Sequence, residues 1–172
     1  MSEGHGTVAA EVLDLLRHAG ATLAVAESLT GGLLAAAITE VPGASAAFRG
    51  SVTAYATDVK DRVLAVPGGL LSVRGAVDPD VAAAMAEGVR VLLDADWAVA
   101  TTGVAGPDEQ DGKPVGTVYV AVAGPSGMRV TGAVFPGDRA EIRRATVERA
   151  LGLLREALRG PRRPTATAPS GG

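Results

Sequence analysis

The segment Ala26-Glu27-Ser28-Leu29-Thr30-Gly31-Gly32 joins an apolar run to an amphipathic one. Residues 22–26 favour a strand, whereas residues 33–38 repeat apolar side chains at helical spacing. A turn between strand and helix exposes a side chain and directs the free N–H groups of the helix start at a ligand. The segment is therefore a candidate nucleophile or anion site. The local sequence leaves one alternative open, in which Ser28 or Thr30 simply caps the helix.

The composition indicates one globular domain. Of 172 residues, 47% are hydrophobic and 20% charged, but only 3% are aromatic, so the core must be built from Val, Leu and Ala. A net charge of −3 gives no general attraction for nucleic acid. The lack of cysteine excludes disulfides, thiol catalysis and thiolate metal sites. No apolar run could span a membrane and no signal peptide is evident, so we expect a cytoplasmic protein.

Helical and strand patterns alternate along the chain. The spacing of apolar residues predicts helices at 8–19, 33–40, 58–66, 79–93 and 138–158, and strands at 22–26, 48–55, 97–101, 116–123 and 128–135. This order predicts a three-layer α/β/α sandwich with a mixed, mostly parallel sheet of about five strands, one of them antiparallel. We expect the domain to span residues 8–159, with a loose N-terminus at 1–7 and a disordered tail at 160–172.

Two proline-containing segments punctuate the middle of the chain. Pro67-Gly68-Gly69 is predicted to end the helix of residues 58–66. Asp78-Pro79 has the pattern of an N-cap followed by proline in the first helical position.

Three polar segments follow predicted strands. They are the Ser28 turn, the stretch from Tyr55 to Lys60, and the glycine-containing loop from Thr102 to Pro107. In open α/β sheets the ligand crevice lies outside the carboxyl ends of the parallel strands. We therefore expect these segments to meet at one rim.

A nucleophilic Ser28 requires a base. His5 and His18 are the only histidines, in the expected loose terminus and at a helix end, so a Ser–His–Asp triad is not supported. Lys60 and Lys113 are the only lysines. A Ser28–Lys60 pair is predicted to work if burial lowers the lysine pKa enough to leave a neutral amine.

An ordinary role for Lys60 is the competing interpretation. Asp58 and Asp61 lie beside it in the predicted helix, and they would raise its pKa if they approach. A solvated helix lysine would then explain the pattern without any catalysis.

The remaining polar candidates are a loop and an arginine. The loop Thr102–Pro107 could offer N–H groups to an oxyanion or a phosphate. The carboxylates that follow it, Asp108, Glu109 and Asp111, are predicted to form a solvated acidic loop rather than a metal site. Arg143 falls on the apolar face of the last helix, so it is predicted to pair with a carboxylate or to face an anionic ligand.

Seven short motifs occur in an order that is specific to one family. They are Ala26–Gly32 (AESLTGG), Val41–Ser45 (VPGAS), Tyr55 with Lys60, Arg74–Val77 (RGAV), Thr101–Pro107 (TTGVAGP), Lys113–Tyr119 (KPVGTVY) and Phe135–Arg139 (FPGDR). Together they closely resemble the CinA C-terminal domain family over about residues 8–158. Members that consist of this domain alone include nicotinamide-nucleotide amidohydrolases of the PncC type.

The resemblance implies a three-layer α/β/α fold and hydrolysis of the carboxamide of nicotinamide mononucleotide to nicotinate mononucleotide and ammonia. It implies Ser28 as the nucleophile and Lys60 and Tyr55 as its proton-handling partners, without fixing how they divide that role. The substrate-binding residues it implies, or that we place near the phosphate, are Thr30, Gly31, Gly32, Thr102, Gly103 and Arg143.

The expected partner is a small pyridine nucleotide, with no metal, cofactor, nucleic acid or membrane, and a homo-oligomer remains open. Leu29, Ala56-Thr57 and Asp78 depart from the frequent family residues Cys, Ser-Asn and Ser. Fold alone does not separate an enzyme from a non-catalytic nucleotide-binding or regulatory module, which is the alternative function.

Overall fold

The computed structural model describes residues 3–160, which fold around a five-stranded sheet. The strands are β1 (Leu23–Glu27), β2 (Phe48–Thr53), β3 (Trp97–Gly103), β4 (Thr117–Gly124) and β5 (Gly127–Val134). The helices are α1 (Glu3–Ala19), α2 (Leu33–Thr39), α3 (Thr57–Leu64), α4 (Gly68–Arg74), α5 (Pro79–Leu92) and α6 (Arg139–Arg159), with a 3₁₀ turn at Ala44–Ala46.

The sheet has the order β2-β1-β3-β4-β5. Strand β1 pairs in parallel with both β2 and β3, whereas β4 is antiparallel to β3 and to β5. One strand, β4, therefore runs against the other four. The predicted mixed, mostly parallel sheet of about five strands is confirmed.

The two faces of the sheet carry different side chains. Alanines of β1, β3 and β4 face α5 and let it approach closely, and they are Ala24, Ala26, Ala98, Ala100, Ala121 and Ala123. Larger apolar residues on the opposite face pack against α1, α2 and α6, and they include Leu23, Val25, Val99, Val118, Val120 and Val122. Helices thus cover both faces, and the predicted three-layer α/β/α arrangement is confirmed.

Helix α3 lies against α5 at a glycine. A side chain at Gly88 would overlap the carbonyl oxygen of Leu64, so only glycine permits this close approach. The contact fixes the position of α3, which carries Lys60.

Some predicted boundaries differ from the structure. Helix α1 begins at Glu3, five residues before the helix predicted from residue 8, and the expectation of a loose segment at residues 1–7 stays a prediction. Helix α3 ends at Leu64, shortly before Pro67. Pro67 is the N-cap of a further helix, α4, which was not predicted. Proline suits the start of a helix, where its missing N–H has no helical partner. Apart from Gly160, the tail predicted at 160–172 lies outside the described residues and stays a prediction.

The predicted N-cap at Asp78 is present, and a second aspartate, Asp138, caps α6. The Asp78 carboxylate accepts a hydrogen bond from the Asp80 N–H, with Pro79 in the first turn of α5. Asp138 and Glu141 form a capping box at the start of α6. No helix within residues 3–160 is long and apolar enough to cross a membrane.

Candidate active site

Ser28 follows directly on strand β1, in a tight turn at the carboxyl end of the parallel strands. Its carbonyl accepts a hydrogen bond from the Gly31 N–H at 3.0 Å. Gly31 and Gly32 have φ values of 54° and 104°, a region in which other residues are strained. The two glycines therefore let the chain reverse between the strand and α2.

A buried carboxylate anchors this turn. Gly32 is the N-cap of α2 and offers no side chain, but both carboxylate oxygens of Glu27 accept hydrogen bonds from the helix, at 2.8 Å from the Leu34 N–H and 3.2 Å from the Ala35 N–H. A negative charge at a helix N-terminus also suits the helix dipole. Neither Ser28 nor Thr30 caps α2 by its side chain, so the capping alternative is wrong.

Lys60 reaches Ser28 from helix α3. Its side chain is 1% exposed, and its Nζ lies 2.9 Å from Ser28 Oγ, 2.7 Å from the Ala54 carbonyl oxygen and 3.2 Å from the Tyr55 carbonyl oxygen. A neutral amine has two N–H donors and one lone pair. The two carbonyls can take the donors, which leaves the lone pair for the Ser28 hydroxyl proton. The contacts around Nζ therefore suit a lysine that acts as a base.

The environment of Lys60 favours the neutral amine. Burial lowers the pKa of Lys60 from its usual 10.5 to about 8, against the attraction of the Asp111 carboxylate, which raises it. The carboxylate that raises the Lys60 pKa is thus Asp111, and not Asp58 or Asp61, the two that the sequence suggested. Asp58 pairs with Arg62 on the surface, and Asp61 lies near Gly68.

Tyr55 meets Lys60 through its backbone, not through its hydroxyl. Tyr55 is 61% exposed, and its phenol oxygen accepts a hydrogen bond from Arg139 Nη2 at 3.0 Å. Arg139 Nη1 also donates to the Gly106 carbonyl oxygen at 2.5 Å. Arg139 thus ties Tyr55 to the loop after β3, while the Ser28–Lys60 contact is direct and passes through no tyrosine.

Two N–H groups beside Ser28 have no hydrogen-bond partner within residues 3–160, those of Leu29 and Thr30. Both residues are almost fully buried. Unpaired backbone donors away from water are rare in folded proteins. Leu29, unlike Thr30, lines the cavity in front of Ser28, so its N–H suits an acceptor that arrives with a substrate, such as the oxyanion of an acyl-transfer intermediate.

Two of the predicted binding residues, Thr30 and Thr102, form hydrogen bonds inside the protein. Thr30 Oγ1 lies 2.8 Å from Thr101 Oγ1, which also accepts a weak hydrogen bond from the Ser28 N–H at 3.4 Å. The Thr102 hydroxyl donates to the Ala76 carbonyl at 2.7 Å. These hydroxyls are buried and hydrogen-bonded within the protein, so they hold the two loops in place.

Arg143 makes contact with the same turn. Its Nε donates to the Leu29 carbonyl at 2.9 Å and its Nη2 donates to the Thr30 carbonyl at 3.1 Å. The position beside the site agrees with the sequence-based expectation, but the partners are backbone carbonyls of the nucleophile turn. The expectation that Arg143 pairs with a carboxylate is wrong.

A cavity of about 510 Å³ opens in front of Ser28. Of the residues predicted to act on or bind the substrate, it exposes Ser28, Tyr55 and Gly103, whereas Lys60 lies behind Ser28. The other lining residues are Leu29, Ala56, Thr57, Val104, Ala105, Gly106, Pro107, Asp108, Glu109, Gln110 and Arg139. Thr30, Gly31, Gly32, Thr102 and Arg143 do not line it.

The carboxylates that follow the Thr102–Pro107 loop do not converge on one point. Within residues 3–160, no group of three or more His, Asp or Glu side chains is placed to hold a metal ion. Asp111 instead accepts a hydrogen bond from the Ala76 N–H at 3.1 Å, and Asp108 and Glu109 line the cavity.

Sequence reasoning missed three residues of this site: Arg139, Glu27 and Thr101. Arg139 was visible as the last residue of the Phe135–Arg139 motif and directly follows the Asp138 cap. Glu27 was visible as a charge at the end of an otherwise apolar strand, a position that requires a partner when it is buried. No sequence signal distinguished Thr101 from Thr102.

Comparison with known proteins places the chain in one family. The family model of the CinA C-terminal domain matches residues 5–158. A CinA-like protein of Frankia casuarinae is 56% identical over 149 residues, which cover 87% of this chain and 34% of that protein. A CinA-like protein of Parasynechococcus marenigrum is 51% identical over 156 residues, 88% of this chain and 37% of that protein. The chain therefore spans little more than a third of these relatives.

Solved structures of CinA-type proteins share the fold over nearly their whole length. A competence-damaged protein (CinA) superfamily protein of Klebsiella pneumoniae matches with a TM-score of 0.88 and 32% identity, covering 91% of this chain and 99% of that one. A competence/damage-inducible protein of Agrobacterium tumefaciens matches with a TM-score of 0.83 and 36% identity, covering 90% and 95%. The sequence motifs, the fold and the extent of these matches agree, and the chain belongs to the CinA C-terminal domain family.

Proposed function

We propose that this protein is an amidohydrolase that converts nicotinamide mononucleotide and water to nicotinate mononucleotide and ammonia. The observation that carries the proposal is the contact between Ser28 Oγ and the buried amine of Lys60 at the inner end of an open cavity. A lysine with a pKa of about 8 leaves about a tenth of the molecules with a neutral amine at pH 7. A hydroxyl nucleophile with such a base is suited to acyl transfer.

The first half of the reaction forms an acyl-enzyme. Ser28 Oγ attacks the carboxamide carbon while Lys60 Nζ accepts the hydroxyl proton. The N–H group of Leu29, which lines the cavity, stabilises the oxyanion of the tetrahedral intermediate, and a well-placed donor of this kind is worth about 3 kcal/mol. The Lys60 ammonium then protonates the leaving nitrogen, the carbon–nitrogen bond breaks and ammonia departs.

The second half releases the acid. A water molecule attacks the ester carbonyl as Lys60 again accepts a proton, and the ester bond to Ser28 breaks. Lys60 returns that proton to Ser28 Oγ, so the serine is regenerated and the carboxylate product leaves. The direct Ser28–Lys60 contact makes a tyrosine relay unnecessary, and Tyr55 instead forms a wall of the cavity.

The charges around the cavity support this substrate class. Nicotinamide mononucleotide carries a positive pyridinium ring and a negative phosphate. The cavity is lined by the Arg139 guanidinium and by the carboxylates of Asp108 and Glu109, so both signs are present. Arg139 replaces Arg143 as the proposed phosphate partner, because Arg139 lines the cavity whereas Arg143 does not.

The test is ammonia release by the purified chain from nicotinamide mononucleotide, nicotinamide riboside, nicotinamide and unrelated amides, with and without a chelator. We expect release from the mononucleotide, unchanged by the chelator, and less from amides that lack the phosphate. Binding of the mononucleotide without ammonia release would favour a non-catalytic nucleotide-binding module. Activity that is lost with chelator and restored by a divalent ion would refute the metal-free mechanism.

A further inference from the structure

Strand β5 ends the sheet with an unprotected edge. The Phe135 N–H donates to the Gly116 carbonyl of the segment leading into β4. Backbone groups alternate in direction along an antiparallel strand. The N–H and C=O groups of Met128, Val130, Gly132 and Val134 therefore point away from β4, and no strand within residues 3–160 pairs with them.

The usual devices that block edge pairing are missing from β5. Its eight residues include no proline, its register with β4 runs without a bulge, and Arg129 is its only charge. Proteins commonly protect exposed edges with lysine, proline or bulges because such edges pair with other strands. This edge is open to another strand.

An apolar stripe lies along the same strand. Met128 and Val130 are each 40% exposed and Val134 is 66% exposed. Their partners in β4 include Ala123 and Ala121, which face α5, so the stripe extends the α5 side of the sheet beyond the cover of that helix. Exposed apolar residues in a row beside an unpaired backbone are typical of an interface.

The strand is complementary to itself. If two copies pair antiparallel about a two-fold axis at Thr131, Met128 faces Val134 of the other copy and Val130 faces Gly132. Each of these pairs consists of residues whose backbone groups point outward, so each exchanges two hydrogen bonds. Tyr119 of β4 packs over Gly132, so the side chain of Val130 from the other copy would meet the edge of that ring.

Charges on the opposite face agree with this register. Arg129 would face Ala133 of the other copy, on the α6 side of the sheet. There Thr131 and Phe135 line a groove with Glu148, Glu156 and Arg149, and the Arg149 guanidinium lies 5.6 Å from the centre of the Phe135 ring. Glu156 gives the groove a carboxylate that the incoming arginine can approach.

We infer that β5 is the surface through which two copies of this chain form a two-fold dimer with one continuous ten-stranded sheet. The interface joins edge to edge, as in β-augmentation, and it is isologous, with each copy contributing the same strand. It lies on the far side of β4 from β3 and the Ser28 turn, so each copy retains its own cavity.

Val130→Pro tests the surface with little risk to the fold. The Val130 N–H points outward, so proline removes a donor that β4 does not use, and proline is tolerated on edge strands in that setting. Sedimentation velocity at micromolar concentration should show a dimer for the wild type and a monomer for Val130→Pro. Val130→Thr is the matched control, because it keeps the N–H and should stay dimeric.

A second test, in which the charges of Arg129 and Glu156 are exchanged, applies even if Val130→Pro fails to fold. Arg129→Glu and Glu156→Arg should each raise the dimer dissociation constant about tenfold, and the double variant should recover most of that loss. A wild type that is monomeric, or a folded Val130→Pro with the wild-type mass, would overturn the inference. The inference would also be overturned if the double variant recovered none of the dimer affinity that the two single variants lose.

Discussion

The amine of Lys60 lies 2.9 Å from the hydroxyl of Ser28, although 32 residues separate them along the chain. The two side chains come from different layers of the sandwich. Ser28 stands at the end of β1, and Lys60 projects from α3 on the α5 side of the sheet. Their contact is the feature from which the proposed chemistry follows.

Ser28→Ala should remove hydrolysis and leave the fold intact. The Ser28 side chain does not cap α2, so the free energy of unfolding should change by no more than about 1 kcal/mol. We expect kcat/KM to fall at least about a thousandfold, as for other nucleophile deletions. Ser126→Ala, on the exposed β4–β5 turn, is the matched control and should behave as wild type. Ammonia release near the wild-type rate from folded Ser28→Ala would disprove the nucleophile assignment.

The pH dependence of kcat/KM should report the base. Only the neutral amine of Lys60 can accept the serine proton, so activity should rise with pH through a pKa of about 8 and then level off. Lys60→Arg should lower kcat/KM at least about a hundredfold, because a guanidinium stays protonated. Lys113→Arg is the control. Near-normal activity of Lys60→Arg with an unchanged profile would show that another group takes the proton.

Lys60 should also lower the free energy of unfolding at neutral pH. Below about pH 8 both the native and the unfolded chain carry its proton, and the lowered pKa corresponds to a cost of about 3 kcal/mol. Between about pH 8 and 10.5 the unfolded chain binds the proton that the native one has lost, so native stability rises with pH in that window. Lys60→Met should therefore be more stable than wild type at pH 7.

Denaturant unfolding at a series of pH values measures that difference. The stability advantage of Lys60→Met should shrink steadily from pH 8 to 10.5. An advantage that does not change with pH would mean that the native pKa of Lys60 is close to its usual 10.5.

Arg139 should act on substrate binding. Arg139→Ala removes a cation from the cavity wall, and we expect KM for nicotinamide mononucleotide to rise about ten- to a hundredfold with a smaller change in kcat. Nicotinamide riboside lacks the phosphate, so its KM should change much less. Arg144→Ala, on the exposed side of α6, is the control. Equal effects on both substrates would assign Arg139 to holding Tyr55 rather than the phosphate.

What sequence analysis predicted well depends on local patterns. The Ser28 turn and the Asp78-Pro79 cap are each specified within a few residues, and alternation of helices and strands specified the layers. The meeting of Lys60 with Ser28 followed from a general rule about the carboxyl ends of parallel strands. These features need no knowledge of how distant side chains pack.

The features that sequence analysis missed depend on contacts between residues that are far apart along the chain. The hydrogen bond from Arg139 to Tyr55 joins residues 84 positions apart, and it exists only because α6 begins beside the loop after β3. For Arg143 the helix face was predicted correctly, but the partners are backbone carbonyls of a turn whose shape the sequence does not specify. The Asp111 carboxylate influences Lys60 from a loop that follows a different strand.

The lack of a side chain at Gly88 has a consequence for how this site can evolve or be engineered. Because α3 rests on that glycine, the distance between base and nucleophile is set by how closely two helices approach, at a position that lines no part of the cavity. An alanine at position 88 would push α3 outward and so move the Lys60 amine away from Ser28. Position 88 therefore affects the Ser28–Lys60 distance from outside the cavity, and variants selected only at the cavity wall would not include it.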